Sequence, residues 1–165
     1  MIRVAIVTVS DSCSQGKRED VSGRTIREML SRDLFEVGEK RILPDDRDAL
    51  AVELGRWADG GGVDLILTTG GTGLGPRDVT PEATASVCER MVPGFGELMR
   101  MKGFALTPNA VLSRAVAGIR GHTLIINLPG SAKAVRECLG LILSLLPHAV
   151  EMLRGGGHEQ KEPCT

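Results

Sequence analysis

Aromatic side chains are almost missing from this chain of 165 residues, at 2% of the sequence and with no Tyr. A nucleic-acid surface built on stacked rings is therefore excluded, and the core has to be made of Val, Ile, Leu, Ala and Met. Charge of one sign is missing as well. Lys and Arg number 20 against 21 Asp and Glu, net −1, so no global field draws in a polyanion or a membrane surface, and any bound phosphate must be held by local geometry. Long apolar runs are absent too. The longest uncharged stretch, Cys138 to Val150, contains Pro147 and falls short of the ~20 residues that span a bilayer. The opening MIRVAIVTVSD is too short for a secretory signal and lacks a cleavage site. The four cysteines form no CxxC pair, which leaves no zinc or disulfide framework to expect. These absences predict a cytoplasmic protein with reduced thiols.

What is present is apolar residue in the right amount and order. At 42% hydrophobic, a chain of this size buries roughly 70% of its unfolded surface, enough for one cored domain. We expect that domain over residues 1–154, with a polar, glycine-rich tail over 155–165. Arg3 to Val9 is a β-branched run that stops abruptly at Ser-Asp-Ser, as a buried parallel strand does at a loop. Ser22 is expected to cap a helix carrying Ile26, Met29 and Leu30. Leu34 to Leu43 reads as a more exposed strand, and Leu50, Leu54 and Trp57 mark a helix that stops at three glycines. Val63 to Thr69 is the third strand. A glycine-rich segment follows, and then Thr80-Pro81-Glu82 opens a helix with Thr80 as its expected cap. A short helix around Phe95, Leu98 and Met99 comes next. Two strands, Ala115 to Gly121 and Thr123 to Leu128, flank a Gly-His turn. A long amphipathic helix from Val135 to Leu146 and a last one to Leu153 close the series. Alternating strands and helices predict a mostly parallel sheet between two helical layers, a three-layer α/β sandwich, with ligands at the carboxyl ends of the strands.

Those ends carry the unusual residues: Thr8 to Ser12, Thr68 to Asp78, and Asn127 to Ser131. They are expected to converge on one rim. Gly70, Gly71, Gly73 and Gly75 can present successive backbone N–H groups to an anion. No Gly-Lys-Ser/Thr follows and the spacing is not G-x-G-x-x-G, so this is neither a Walker loop nor a dinucleotide fingerprint. The same glycines also serve a tight strand-to-helix turn, and composition leaves both readings open. Asp78 at the end of that loop and Asp45 beyond another strand are carboxylates that could face one phosphate through a divalent cation. Capping is the alternative for each, and Asp46 is the expected cap of its helix. Ser10, Asp11 and Ser12 can bond a polar ligand or simply form a turn. Ser131, after Gly130, is a helix cap at an anion-friendly N-terminus, and Ser113-Arg114 offers a hydroxyl and a guanidinium. His122 and His148 have no nucleophilic partner in the sequence.

Together, Thr-Val-Ser-Asp-Ser at 8–12, Leu-Pro-Asp-Asp at 43–46, Thr-Thr-Gly-Gly-Thr-Gly at 68–73 and Pro-Arg-Asp-Val-Thr-Pro-Glu at 76–82 form a family pattern. Pro-Gly-Phe-Gly-Glu at 93–97, Leu-Ser-Arg at 112–114 and Asn-Leu-Pro-Gly-Ser at 127–131 complete it. The chain resembles the molybdopterin adenylyltransferases of the MogA and MoaB type and is similar to the G domain of gephyrin, from residue 2 to about residue 154. The resemblance implies a homotrimer that transfers AMP from Mg-ATP to the terminal phosphate of molybdopterin and releases pyrophosphate, ahead of a molybdenum-insertion protein. It implies that Asp45 and Asp78 organise Mg²⁺. Ser10, Asp11, Thr69, Gly70, Gly71, Thr72, Gly73, Ser113, Arg114, Pro129, Gly130 and Ser131 then line the nucleotide and pterin pockets. Ala-Val-Ala-Gly-Ile at 115–119 looks like the MoaB branch, some of whose members bind pterin without clear catalysis, so a binding-only scaffold is the second reading. The motif at 76–82 follows the catalytic pattern.

Overall fold

A computed structural model of the chain describes residues 1–156; from residue 157 onward the expected tail lies outside the described residues. The elements in chain order are β1 (Ile2–Val9), α1 (Asp11–Ser14), α2 (Val21–Met29), β2 (Phe35–Leu43), α3 (Arg47–Asp59), β3 (Leu65–Thr69), α4 (Thr80–Val87), β4 (Arg90–Met91), α5 (Pro93–Leu106), β5 (Ala117–Arg120), β6 (Thr123–Leu128), α6 (Ala132–Ile142) and α7 (Leu146–Leu153). The strands form one sheet in the order β2-β1-β3-β6-β5-β4. The four strands β2, β1, β3 and β6 run parallel, and β5 and β4 add an antiparallel edge.

Strand alternation divides the core between the two faces. Val4, Ile6, Leu65, Leu67, Leu124 and Ile126 point into one cluster, closed by α2, α5, α6 and α7. Ala5, Val7, Ile66 and Ile125 point into the other, beneath α3 and α4 with Leu50, Leu54 and Trp57. Almost all of these side chains are fully buried, and each large one stabilises the fold by about 1.5–3 kcal/mol relative to exposure. The result is the expected three-layer sandwich. From β1 the chain moves outward to β2, then crosses back over β1 to place β3 on its other side, which opens a crevice at the carboxyl ends of β1 and β3.

Several local expectations change. Helix α2 is capped by Asp20, whose carboxylate accepts from the Gly23 N–H at 2.8 Å, and not by Ser22, which lies inside the helix. Helix α4 begins after Val79 without a side-chain cap. The Thr80 hydroxyl instead turns inward and donates to the Gly70 carbonyl at 2.8 Å. Asp46 and Ser131 do cap α3 and α6. The helix after Pro93 is longer than expected, at 14 residues, and the amphipathic run after Ser131 is interrupted by a 3-10 turn at Leu143–Leu145 before Pro147.

Candidate functional site

Three of the four parallel strands, β1, β3 and β6, end at polar or glycine-rich residues that meet. Thr8 to Ser10 from β1, Thr69 to Gly71 from β3, and Gly130 to Ala132 after β6 line one cleft of about 490 Å³, together with Asp45 and Asp78. Glycine is required here by contact as well as by conformation. Gly70 has φ +95°, and a Cβ on it would sit 2.3 Å from the Val9 carbonyl oxygen; Gly71 has φ +65°, and a Cβ there would meet the Thr80 hydroxyl at 2.3 Å. The Gly130 backbone packs directly on Gly70, where an added Cβ would lie 3.2 Å from the Gly70 Cα.

The loop that follows is held from outside, which leaves its inner amides available. Gly70 N–H donates to the Leu128 carbonyl at 3.2 Å and Thr80 N–H to the Gly71 carbonyl at 3.0 Å. Arg114 clamps the loop from behind: its main-chain N–H donates to the Thr72 carbonyl at 2.9 Å. Its guanidinium donates to the carbonyls of Gly73 at 2.7 Å and Asp78 at 2.6 Å and pairs with Glu82. The N–H groups of Gly71, Thr72, Gly73 and Leu74 find no protein acceptor among the described residues. Unpaired backbone amides are donors suited to phosphate oxygens; Gly71 lines the cleft with the two aspartates, whereas Thr72, Gly73 and Leu74 line a second hollow, and the opening turn of α6 adds its own unpaired amides beside Gly130 and Ser131. Beneath the loop, the buried Asn127 side chain donates to Thr68 at 3.0 Å and to Thr84 at 2.8 Å, tying β3, β6 and α4 together below the cleft.

The two aspartates reach the cleft from different loops. The Asp78 carboxylate accepts the Gly75 N–H at 2.8 Å through Oδ2, and the Asp45 carboxylate accepts the Asp11 N–H at 2.9 Å through Oδ2. Neither Oδ1 has a protein donor among the described residues. No group of 3 or more His, Cys, Asp or Glu is placed to hold a metal among the described residues; the hard oxygen groups lining the cleft include the Asp45 and Asp78 carboxylates. Such a pair fits Mg²⁺, which commonly takes one or two carboxylates and completes its shell with substrate phosphate oxygens and water.

The remaining expected residues are divided. Thr72, Gly73, Ser113 and Pro129 line a second, mostly apolar hollow of about 480 Å³ on the other side of the glycine loop, with Met99, Leu112 and Cys138. Arg114 lines neither hollow. Asp11 also stays out of the cleft: one carboxylate oxygen accepts the Asp45 N–H at 3.0 Å, and Arg77 Nη2 donates to both oxygens at 2.8 and 2.9 Å. The Asp45 amide and then the Arg77 guanidinium hold the Asp11 carboxyl below the usual carboxylate range. His122 and His148 line neither hollow. Sequence reasoning did not single out Arg18 and Glu19, which line the cleft from the loop before α2. Nor did it single out Asp20, whose carboxyl stays below its ordinary value although burial raises it, because Lys40 at 2.9 Å and the Gly23 N–H outweigh that burial.

Comparison with known proteins assigns the chain to a family. Residues 5–148 match the family described as "Probable molybdopterin binding domain". The chain is 46% identical over 156 residues to a molybdopterin adenylyltransferase of Helicobacter pylori, covering 93% of this chain and 89% of that protein. It is 43% identical to the molybdenum cofactor synthesis protein cinnamon of Drosophila melanogaster, over 92% of this chain and 26% of that longer protein. The crystal structure of the molybdopterin biosynthesis enzyme MoaB from Thermus thermophilus superposes with a TM-score of 0.89 at 52% identity, covering 94% of this chain and 98% of that one. With the glycine loop, both aspartates and the Asn-Leu-Pro-Gly-Ser turn all inside the matched span, the chain belongs to the molybdopterin-binding domain family.

Proposed function

We propose that the protein is a molybdopterin adenylyltransferase of molybdenum cofactor biosynthesis, transferring AMP from ATP to the terminal phosphate of molybdopterin. The observation that carries this reading is the meeting, in one cleft, of two carboxylates, the Gly70-Gly71 start of the glycine loop and the opening of α6. The 46% identity to a curated adenylyltransferase supports it. An oxygen of the pterin phosphate attacks the α-phosphorus, the new P–O bond forms, and the α–β bridging bond breaks with its electron pair leaving on pyrophosphate. Chemistry of this kind needs positioning and charge neutralisation and no covalent help from a side chain. The unpaired Gly71 amide and the opening of α6 at Gly130 and Ser131 hold phosphate oxygens in the cleft. Asp45 and Asp78 would hold Mg²⁺, which would neutralise charge on the phosphates and the leaving pyrophosphate. Ser10, Thr69 and Gly70 shape the floor of this cleft, whereas Thr72, Gly73, Ser113 and Pro129 shape the apolar hollow next to it. The two substrates thus meet across one loop.

The same reading includes a homotrimer in the cytoplasm that delivers adenylylated pterin to a molybdenum-insertion protein. No helix among the described residues is long and apolar enough to cross a membrane, which is consistent with that setting. The test is pyrophosphate release and AMP-pterin formation from Mg-ATP and molybdopterin. Wild type should turn over, and Asp45→Asn and Asp78→Asn should each lose about 10²–10³-fold in kcat, the scale of losing a charge-stabilising group. Tight pterin binding without turnover in the wild type would establish instead a binding-only protein of the MoaB branch.

A further inference from the structure

We infer that Asp11 is a positioning residue, the keystone of a latch that sets the two carboxylates of the cleft against each other; this rests on the adenylyltransferase reading above. Asp45 and Asp78 belong to loops on different strands, and neither loop by itself fixes where its carboxylate stands relative to the other. Asp11 connects them. It exchanges two hydrogen bonds with Asp45, its own N–H donating to the Asp45 carboxylate at 2.9 Å and its carboxylate accepting from the Asp45 N–H at 3.0 Å. On its other side both of its oxygens receive Arg77, whose Nε also donates at 3.2 Å. Arg77 is the residue next to Asp78, on the turn that the Asp78 carboxylate closes through the Gly75 N–H.

The pairing is poorly explained as a stability device. The Arg77 and Asp11 side chains are 66% and 39% exposed, and exposed ion pairs contribute little to folding. A forked guanidinium on a carboxylate fixes direction as well as distance. The reciprocal bonds to Asp45 further mean that Asp11 cannot move without reorienting the Asp45 carboxylate. Ser10 caps the single turn that carries Asp11, accepting from the Cys13 N–H at 3.3 Å, so the keystone is itself seated on the end of β1.

The latch predicts an effect on magnesium-dependent phosphate binding, and a merely local cap does not. The experiment uses full-length Asp11→Ala, Asp11→Asn and Arg77→Gln beside the wild type and Asp45→Asn, with matched thermal melts. The probe is an ATP analogue with a non-cleavable α–β bridge, titrated calorimetrically with Mg²⁺ and again with EDTA. Asp11→Ala should weaken analogue binding about 10-fold in Mg²⁺ and leave it unchanged in EDTA. It should lower kcat about 10–100-fold, the range seen when partners of metal-ligating groups are removed, with KM for molybdopterin held within about 2-fold. Asp11→Asn keeps one acceptor for the Asp45 amide and should fall between Asp11→Ala and the wild type. Amide hydrogen exchange should accelerate at both Asp45 and Gly75 in Asp11→Ala. Exchange confined to Asp45, or magnesium-dependent affinity equal to wild type while Asp45→Asn loses it, overturns the latch. If the wild type releases no pyrophosphate, the adenylyltransferase reading falls by itself, and the exchange at Gly75 then decides whether the latch exists.

Discussion

The two ends of the parallel sheet use the same residue type in opposite ways. At the lower rim, where β1 and β3 begin, Asp64 is buried to 7% exposure and both its oxygens are occupied. Arg3 donates to it from its main chain at 2.8 Å and from its guanidinium at 2.8 and 3.0 Å, and Arg154 closes on it at 2.8 Å. At the upper rim Asp45 and Asp78 each take one amide and keep an oxygen that no protein group among the described residues satisfies. A saturated carboxylate ties Arg154, the residue after α7, to the first strand. An unsaturated one keeps an acceptor free for the ligand of the proposed reaction. The difference teaches that satisfaction of hydrogen-bonding capacity, more than burial or residue type, separates a stabilising aspartate from one open to the role proposed for Asp45 and Asp78.

The strongest way to break this contrast is to make the same substitution at both rims. Asp78→Asn should cost about 10²–10³-fold in AMP transfer and shift stability by no more than about 0.5 kcal/mol, the range for surface changes away from packing features. Asp64→Asn should leave transfer near wild type and lower unfolding free energy by about 1.5–3 kcal/mol, the value of charge-assisted bonds to a buried group. Chemical denaturation and pyrophosphate release on the same samples check both; a stable, active Asp64→Asn would remove the distinction.

The glycines sharpen it further. Gly70→Ala meets the Val9 carbonyl at 2.3 Å with φ +95°, so the backbone itself must yield. We expect a loss of about 3 kcal/mol from combined strain and overpacking, with transfer abolished because the amides of the loop are displaced. Thermal unfolding and analogue binding measured together distinguish a displaced loop from an unfolded protein.

Acid separates the rims in the same sense. The Arg3 pairing, then Arg154, holds the Asp64 carboxyl well below the usual range even though burial opposes it. A depressed native pKa contributes stability that is complete above the unfolded value of about 3.9 and is lost as pH falls through the native value. Between about pH 5 and pH 3 the wild type should therefore lose stability more steeply than Asp64→Asn, a slope difference read from urea midpoints across that window.

Much of this arrangement was legible in the sequence, and the parts that were not share a cause. Apolar runs ending abruptly at Val9, Thr69 and Leu128 identified the strands and where they stop, because a strand buried on both faces reads as a continuous apolar run up to the loop that follows it. Asp46 and Ser131 were legible as caps. Asp20 was not distinguished from Ser22, since both are good capping types within one turn and only the bond to the Gly23 N–H decides. Thr80 looked like a cap, but a 10-residue separation hides its bond to Gly70. Strand β4, with 2 residues, is too short to show alternation. The role of Arg114 behind the loop and the Asp11–Arg77 pair depend on contacts 41 and 66 residues apart, which no local pattern encodes.

The smallest expected effect lies at the lower rim and serves as the control for the upper one. Gly121, in the turn between β5 and β6, has φ +55° like the glycines of the loop, but a Cβ added to it meets nothing within 4 Å. Gly121→Ala therefore isolates the conformational cost of a left-handed residue, about 1 kcal/mol, from the steric cost that accompanies it at Gly70. Transfer activity should stay at the wild-type level, and the thermal midpoint should fall by a few degrees. If Gly121→Ala proved as damaging as Gly70→Ala, strain alone would account for the glycine loop and close approach to Val9 would not be needed. If it is mild, the glycines at the upper rim are there because the backbones of β1, β3 and the β6 turn must touch, and that contact is what brings Gly70, Gly71 and Gly130 together at the cleft.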